Sequence, residues 1–79
     1  MPDDASAADE PSYRVRFGRR IKAIRIEAGL SAVDVANRVG TTRNTMHRWE
    51  RAEAAPHLDV LPNLAAALGC TVPEMMPDH

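Results

Sequence analysis

The sequence predicts an all-α domain built from five short helices. Three observations support this prediction: apolar residues recur at helical spacing, residues that favour helix starts precede the apolar segments, and a glycine follows three of those segments. No stretch shows the apolar–polar alternation of a half-buried strand. With 79 residues, the chain has room for a single domain.

The composition excludes several ways of stabilising so small a domain. Cys70 is the only cysteine, so no disulfide forms within the chain, and a reducing cytoplasmic compartment is the expected context. No metal or other cofactor is expected, because the three histidines lack ligand spacing beside Cys70. No apolar run approaches the roughly 20 residues of a membrane span, and residues 1–12 lack a signal peptide's apolar stretch. We therefore expect a cytoplasmic helical domain that does not interact with a membrane.

The charges are distributed unevenly along the chain. All ten Lys and Arg residues lie between Arg14 and Arg51, against four acidic residues between Tyr13 and Glu53, which leaves this middle segment with a charge of +6. The net charge of −1 for the whole chain hides this basic segment. A basic segment on a small helical domain is typical of a polyanion-binding protein, although charge alone fits a set of solvated helix faces better.

The chain divides into a tail and a folded domain. Residues 1–12 carry four carboxylates and no apolar periodicity, which predicts a disordered acidic tail. Residues 13–79 form the predicted folded domain. Two roles for the tail remain open: it competes with a bound polyanion for the basic segment, or it only increases solubility.

The first helix is predicted over residues 13–28. Ser12 provides a helix N-cap, and Gly29 provides a left-handed residue that ends the helix. One apolar stripe at helical spacing follows this segment and consists of Phe17, Ile21, Ile24 and Ala28.

The second helix has a clearly marked start. Ser31 occupies the N-cap position and Asp34 the third helical position, which together form a capping box. The helix is predicted to run to Val39 and to end at Gly40. Because Gly40 and Thr41 alone precede the next N-cap, Thr42, the third helix follows after a tight turn.

The third helix is predicted from Arg43 to Arg51. Two short helices joined by a glycine-containing turn of this length indicate a helix-turn-helix arrangement. The domain of residues 13–79 is therefore predicted to contain a helix-turn-helix.

The fourth helix must accommodate a proline in its first turn. We predict Asp59 at its N-cap, Val60 at the first helical position, Pro62 at the third position and Gly69 after its end. Its apolar face consists of Leu61, Leu64, Ala65 and Leu68.

The last helix is a single turn. Thr71 and Glu74 form a T-x-x-E capping box that opens a turn through Met75 and Met76. The two methionines are expected to cover the core, and Cys70 to be a small buried apolar residue.

The segment from Arg16 to Met76 resembles the Cro/C1-repressor (XRE-type) helix-turn-helix family. The resemblance rests on GLS before the second helix, on VGTTRNTMHRWE in the turn and third helix, and on LPNLAAALG in the fourth helix. The VGTT turn and the Leu-Pro pair are similar to lambdoid phage repressors. The resemblance implies a five-helix lambda-repressor-like DNA-binding domain, and a transcriptional repressor that reads double-stranded DNA with its third helix.

Three positions depart from the family pattern, and one of them is Val33, which replaces a residue that is usually polar. Ala32 replaces a glutamine whose side chain holds a phosphate, so that backbone amides at Ser31 and Ala32 are left for this task. Ala52 replaces the glycine after the recognition helix, and its side chain resists a positive φ. We expect the end of that helix to be reshaped or strained.

The third helix carries the predicted DNA contacts. Met46 and Trp49 share one face and are expected to point into the core, which directs the polar side chains outward. Arginine pairs with guanine edges and asparagine with adenine edges. The predicted base-reading residues are Arg43, Asn44, His47 and Arg48, with a phosphate as the alternative for His47. The predicted phosphate-binding residues are Arg25, Ser31, Ala32, Thr42, Thr45 and Arg51. Arg25 and Glu50 also resemble a family pair that ties the first helix to the third.

The leading hypothesis is a sequence-specific DNA-binding transcriptional regulator that acts as a homodimer on an inverted repeat. The alternative is an antitoxin or interaction module that binds a partner protein such as a toxin, through an apolar surface at Val15, Ile26 and Val33. No enzyme is predicted and no catalytic residue is assigned, because no nucleophile–base pattern, carboxylate pair or phosphate loop is present in the sequence.

Overall fold

The computed structural model describes residues 11–77, and in this part of the chain five α-helices and one 3₁₀ turn follow one another without a strand. The helices are α1 (Tyr13–Glu27), α2 (Ala32–Val39), α3 (Arg43–Glu50), α4 (Leu61–Leu68) and α5 (Val72–Met75), and the 3₁₀ turn Leu58–Val60 precedes α4. The predicted all-α fold with five helices is confirmed. The predicted acidic tail lies outside the described residues, apart from positions 11 and 12.

Helix α1 begins at the predicted residue and ends at Glu27, one residue before the predicted end, because Ala28 is its C-cap. The Ser12 hydroxyl accepts a hydrogen bond from the Val15 amide at 3.2 Å, and Gly29 adopts a left-handed φ of 74° beyond the helix end. The apolar stripe is buried at Phe17 and Ile21, but Ala28 is exposed because it caps the helix after the last turn that packs on the core.

The helix-turn-helix pair α2–α3 matches its prediction closely. The Ser31 amide donates to Asp34 Oδ2 and the Asp34 amide donates to Ser31 Oγ, both at 3.0 Å, which completes the predicted capping box. Gly40 ends α2 at a left-handed φ of 90°, and the Thr42 hydroxyl then accepts from the Thr45 amide at 3.1 Å. The predicted extension of α3 to Arg51 is one residue too long, since Arg51 is its C-cap.

The start of α4 differs from the prediction. Asp59 and Val60 lie in the 3₁₀ turn, where the Val60 amide donates to the His57 carbonyl at 2.9 Å, and α4 begins only at Leu61. Pro62 therefore lies within the first two helical positions, where its missing N–H costs no intrahelical hydrogen bond. No side chain caps this helix, because the preceding 3₁₀ turn leads directly into it.

The last turn, α5, confirms its predicted capping box. The Thr71 amide donates to Glu74 Oε1 at 2.8 Å, and the Glu74 amide donates to Thr71 Oγ1 at 3.3 Å. Met75 is buried and Met76 half-buried, as expected for residues that cover the core. Cys70 is also half-buried, and burial raises the pKa of its thiol.

One core holds the five helices together. Each helix contributes one side chain that is fully buried, and these are Ile21, Val35, Met46, Leu64 and Met75. Because the helices share this core, packing of the buried face of α3 against α1 and α2 fixes its position. In the described residues, no helix has the length and apolar character needed to cross a membrane.

Candidate nucleic-acid interface

Helix α3 packs against α1 at a point of very close approach. A Cβ atom at Gly18 would lie 2.5 Å from the Glu50 carbonyl oxygen and 2.7 Å from that of Trp49, so only glycine fits between the two helices. No local pattern in the sequence predicts this role for Gly18. The close contact fixes the C-terminal end of α3 against the middle of α1.

An ion pair beside this contact also ties α1 to α3. Arg25 Nε donates to Glu50 Oε2 at 2.7 Å and Nη2 donates to Oε1 at 3.2 Å, while Nη1 donates to the Leu30 carbonyl at 3.0 Å. The Glu50 side chain is only 3% exposed. The pair expected from the resemblance is therefore present, and its two-pronged geometry orients α3 with little freedom.

The segment after α3 contains the expected strain. Ala52 adopts a φ of 64°, a left-handed conformation that disfavours residues with a Cβ. The hydrogen bond from the Glu53 amide to the Arg48 carbonyl, at 2.9 Å, closes the helix end around Ala52. The backbone thus keeps the turn that a glycine usually provides, at the cost of strain.

The outward face of α3 is polar and accessible. Met46 and Trp49 are buried, which confirms their predicted inward direction and makes Trp49 a core residue. The exposed side chains of this face are Arg43, Asn44, Arg48 and Arg51, and His47 is half-buried at its edge. Three guanidinium groups and one amide therefore face outward from a helix that the core holds in place, although their contacts with bases remain a prediction.

The predicted phosphate-binding residues have different environments. Thr42 and Thr45 are linked by a hydroxyl–hydroxyl hydrogen bond of 3.0 Å at the start of α3. Arg51 is exposed and forms only a loose ion pair with Glu53 at 3.6 Å. The guanidinium of Arg25, in contrast, is half-buried and already donates to two groups of the protein.

The start of α2 is a less open site for a phosphate than the sequence suggests. The Ser31 amide is used by the Asp34 carboxylate, and Ala32 is buried. Hydrogen bonds from the amide and then the hydroxyl of Ser31 hold the pKa of Asp34 below its ordinary value, so that this carboxylate is charged at neutral pH. An anion at the start of α2 is therefore attracted by the amides of the first turn and repelled by the Asp34 carboxylate.

Two further arginines of the basic segment donate hydrogen bonds to backbone carbonyl groups of other helices. Arg20 Nε donates to the Glu74 carbonyl at 2.9 Å, which ties α1 to α5, and Arg38 Nη1 donates to the Ala67 carbonyl at 3.1 Å, which ties α2 to α4. These contacts show that part of the positive charge has a structural task. The cations with exposed side chains are concentrated on α1 and α3.

A shallow cleft between α1 and α3 was not anticipated from the sequence. Its lining residues are Lys22 and Arg25 from α1, and His47, Glu50 and Arg51 from the end of α3. A signal for Lys22 was present, because it precedes Arg25 by three positions and therefore shares its helix face. In the described residues, no group of His, Cys, Asp and Glu side chains is arranged to hold a metal ion.

An all-helical domain with a turn-linked helix pair, whose second helix presents a polar, cationic face, defines the helix-turn-helix class. The chain belongs to this family: the family model described as "Helix-turn-helix domain" matches residues 16–76. The resemblance to Cro/C1-type domains is confirmed.

Three relatives illustrate the similarity. The cryptic phage CTXphi transcriptional repressor RstR from Vibrio cholerae is 31% identical over 62 residues, which cover 78% of this chain but only 56% of the relative. The restriction-modification controller protein C.AhdI from Aeromonas hydrophila superimposes with a TM-score of 0.75 at 31% identity, covering 78% of this chain and 94% of that one. The P22 c2 repressor, solved with a synthetic operator, gives a TM-score of 0.70 at 28% identity, covering 76% and 91%.

Proposed function

We propose that the protein is a sequence-specific double-stranded DNA-binding transcriptional regulator, and that it acts as a repressor with α3 in the major groove. The observation that carries this proposal is the exposed face of α3, on which Arg43, Asn44 and Arg48 project from a helix whose other face is buried. Arginine and asparagine are the side chains that pair bidentately with guanine and adenine in the major groove. The side chains nearest the start of a recognition helix are those that usually meet the bases.

The relatives support the same function. RstR is described as a transcriptional repressor, C.AhdI as a controller protein, and the P22 c2 repressor was solved on a synthetic operator. We propose no catalytic activity for the protein. Because a transcriptional regulator acts on DNA, we also propose that the protein is located in the cytoplasm of a bacterial cell. It is encoded there by the bacterium or by a phage.

The regulator is proposed to bind as a homodimer, since one recognition helix buries too little surface for useful specificity. An apolar patch supports this: Leu58 is 82% exposed and Tyr13 is 44% exposed, next to Pro56, Leu61 and Met76. A two-fold interface places the same patch on both subunits, which suits an apolar surface. The cationic face of α3, in contrast, would repel its copy.

The exposed Ile26 and Val33 keep the alternative of a protein-binding module open to test, but no toxin partner is proposed. Ile26 is 59% exposed and Val33 is 44% exposed, as the sequence predicted, whereas Val15 is half-buried. Two exposed apolar side chains are common on a protein surface. The reported relatives are a repressor, a controller and an operator-bound repressor, which favours DNA as the main ligand.

A selection of bound duplexes from a random DNA pool tests the function. We expect an inverted repeat with half-sites about one helical turn apart. Moving the half-sites by half a turn should abolish most of the binding, and Leu58→Asp should weaken binding to the full repeat while leaving binding to a single half-site unchanged. Recovery of no preferred sequence would contradict the proposal.

A further inference from the structure

The segment that follows α3 has a sequence that favours a helix and a structure that ends one. Residues 51–55 read Arg-Ala-Glu-Ala-Ala, which are all strong helix formers, and they include neither glycine nor asparagine. Pro56 is the first residue that would stop a helix continued from α3. Helix α3 nevertheless ends at Glu50, and Ala52 turns the chain at a left-handed φ of 64°. Local preference and observed conformation therefore disagree in this segment.

Helix α1 imposes the observed end of α3. In a continued helix, the amides of Glu53 and Ala54 would donate to the carbonyl groups of Trp49 and Glu50, four positions earlier. Those two carbonyl groups lie against α1 at Gly18, where a Cβ would be 2.7 Å from the Trp49 oxygen and 2.5 Å from the Glu50 oxygen. Because α1 covers both acceptors, α3 cannot continue unless the two helices separate.

The turn at Ala52 is held by small contributions of opposite sign. The amides of Glu53 and Ala54 both donate to the Arg48 carbonyl, at 2.9 and 3.3 Å. Ala54 is half-buried and packs against the core, which adds the burial of one methyl group. These gains are opposed by the strain of a left-handed alanine, which a glycine at this position would not have. A short and a continued α3 therefore differ little in free energy.

The direction of the chain at Ala52 also forms the exposed apolar patch. Ala55, Pro56 and Leu58 line this patch together with Leu61. Each residue added to α3 would carry the chain about 1.5 Å further along the helix axis, and so would move Ala55 and Pro56 away from Leu61. The patch proposed for dimer contact therefore requires that α3 ends where it does.

We propose that the C-terminal end of α3 is a two-state element. In the short form, described above, Ala52 is left-handed and α1 covers the helix end; in the long form, α3 continues to Ala55 and separates from α1. The free protein contains about 1–10% of the long form. The coupling to DNA rests on the proposed function: only the short form has the dimer patch and holds α3 against α1, so bound operator removes the long form.

Relaxation-dispersion NMR on the free protein tests for the long form, because rearrangements of packed helices fall in the μs–ms range. We expect dispersion at residues 51–57 and at Gly18, with the minor-state ¹³Cα shifts of Glu53 and Ala54 in the helical range. Flat profiles, or minor-state shifts in the random-coil range, would overturn the two-state element.

Two glycine substitutions separate helix continuation from fraying. Ala52→Gly relieves the strain of the short form and disfavours the long form, so the minor population should fall about tenfold or more. Glu53 is exposed in the short form, and Glu53→Gly should lower the minor population about fivefold because glycine is a poor helix former. Ala66→Gly is the matched control, since it removes an exposed methyl group from α4 and should leave the dispersion at residues 51–57 unchanged. An unchanged or higher population in either variant, or the same decrease in the control, would contradict helix continuation.

Addition of the selected operator duplex separates failure of the coupling from failure of the proposed function. The dispersion at residues 51–57 should disappear in the bound protein. If no duplex binds while the free protein shows the helical minor state, the proposed function fails and the two-state element stands. If duplex binds and the dispersion persists unchanged, the coupling to DNA is overturned and the proposed function stands.

Discussion

The N-terminal ends of α2 and α3 use the same capping device and differ in charge. In both helices a hydroxyl accepts from the amide three positions later: Ser31 from Asp34 at 3.0 Å, and Thr42 from Thr45 at 3.1 Å. Helix α2 adds the acidic side chain of Asp34 to its first turn, whereas the first turn of α3 contains no acidic residue.

The physical consequence of this difference concerns the helix dipole. A carboxylate at the start of α2 stabilises the positive end of that helix from within the protein. The positive end of α3 is left without such a carboxylate, and Arg43 adds a further positive charge to it. An anion at the start of α2 therefore meets a fixed negative charge beside the helix amides, whereas an anion at the start of α3 meets none.

The largest expected effect comes from the core that supports both helices. Met46 is fully buried, so Met46→Ala should lower the free energy of unfolding by about 2–5 kcal/mol, because it removes packed atoms and leaves a cavity. Chemical denaturation measures this loss. Arg48→Ala is the control on the exposed face of the same helix and should leave the stability within about 0.5 kcal/mol. Similar losses for the two variants would show that α3 is not packed as described.

The next effect concerns base reading at α3. Asn44→Ala and Arg48→Ala should each cost about 1–3 kcal/mol in binding to the selected operator and much less on random DNA, because nonspecific binding depends mainly on phosphates. Arg51→Ala should instead weaken binding to all sequences alike. Competition assays with operator and random duplex measure both quantities. Equal losses on the two duplexes for Asn44→Ala would remove it from the base-reading set.

Local signals in the sequence correctly predicted the capping hydrogen bonds at the starts of α2 and α3. Ser31, Asp34 and Thr42 act within three residues of their partners, so their hydrogen bonds follow from spacing alone. The glycine that ends α2 and the inward phase of Met46 are equally local properties. The bounds of α2, the start of α3 and the exposed face of α3 could therefore be predicted.

Features that depend on contacts between distant segments could not be predicted. Gly18 is required because two carbonyl groups of α3 approach α1, and Lys22 and His47 line the same cleft only after the helices have packed. The predicted start of α4 at Val60 is one residue too early. Pro62 is compatible with several positions in a first turn, and the 3₁₀ turn has no sequence signal as strong as a capping box.

Removing each capping hydroxyl in turn sharpens the comparison of the two helix starts. Ser31→Ala and Thr42→Ala should each lower the free energy of unfolding by about 0.5–2 kcal/mol, since each leaves one helix amide without its acceptor. Only Thr42→Ala should also weaken DNA binding, because its hydroxyl lies at the helix end that is open to a phosphate. An equal loss of DNA binding in Ser31→Ala would contradict this difference and would show that the starts of α2 and α3 both contact DNA.

The smallest expected effect is a pH dependence of the free energy of unfolding that arises from Asp34 at the start of α2. The hydrogen bonds from Ser31 hold the pKa of Asp34 below its ordinary value of 3.8 in the folded protein. The charged Asp34 carboxylate therefore contributes its full stabilisation of the fold at pH values above 3.8. This contribution is lost as the pH falls through the pKa that Asp34 has in the folded protein. Asp34→Asn should remove this contribution, so that the stability difference from wild type is constant near neutral pH and shrinks in acid.

Glu74 provides a matched control for Asp34, because the same kind of capping box with Thr71 lowers its pKa at the start of α5. Glu74→Gln should show the same trend in acid, as measured by denaturation at a series of pH values. The two variants should differ on DNA at neutral pH. Asp34→Asn should bind duplex slightly more tightly at low salt, since it removes a negative charge from the N-terminal end of α2, where a phosphate contact is predicted. Glu74→Gln should leave the affinity for duplex unchanged. An unchanged affinity for Asp34→Asn would mean that no phosphate approaches the first turn of α2, and that the two helix starts differ even more sharply in their roles.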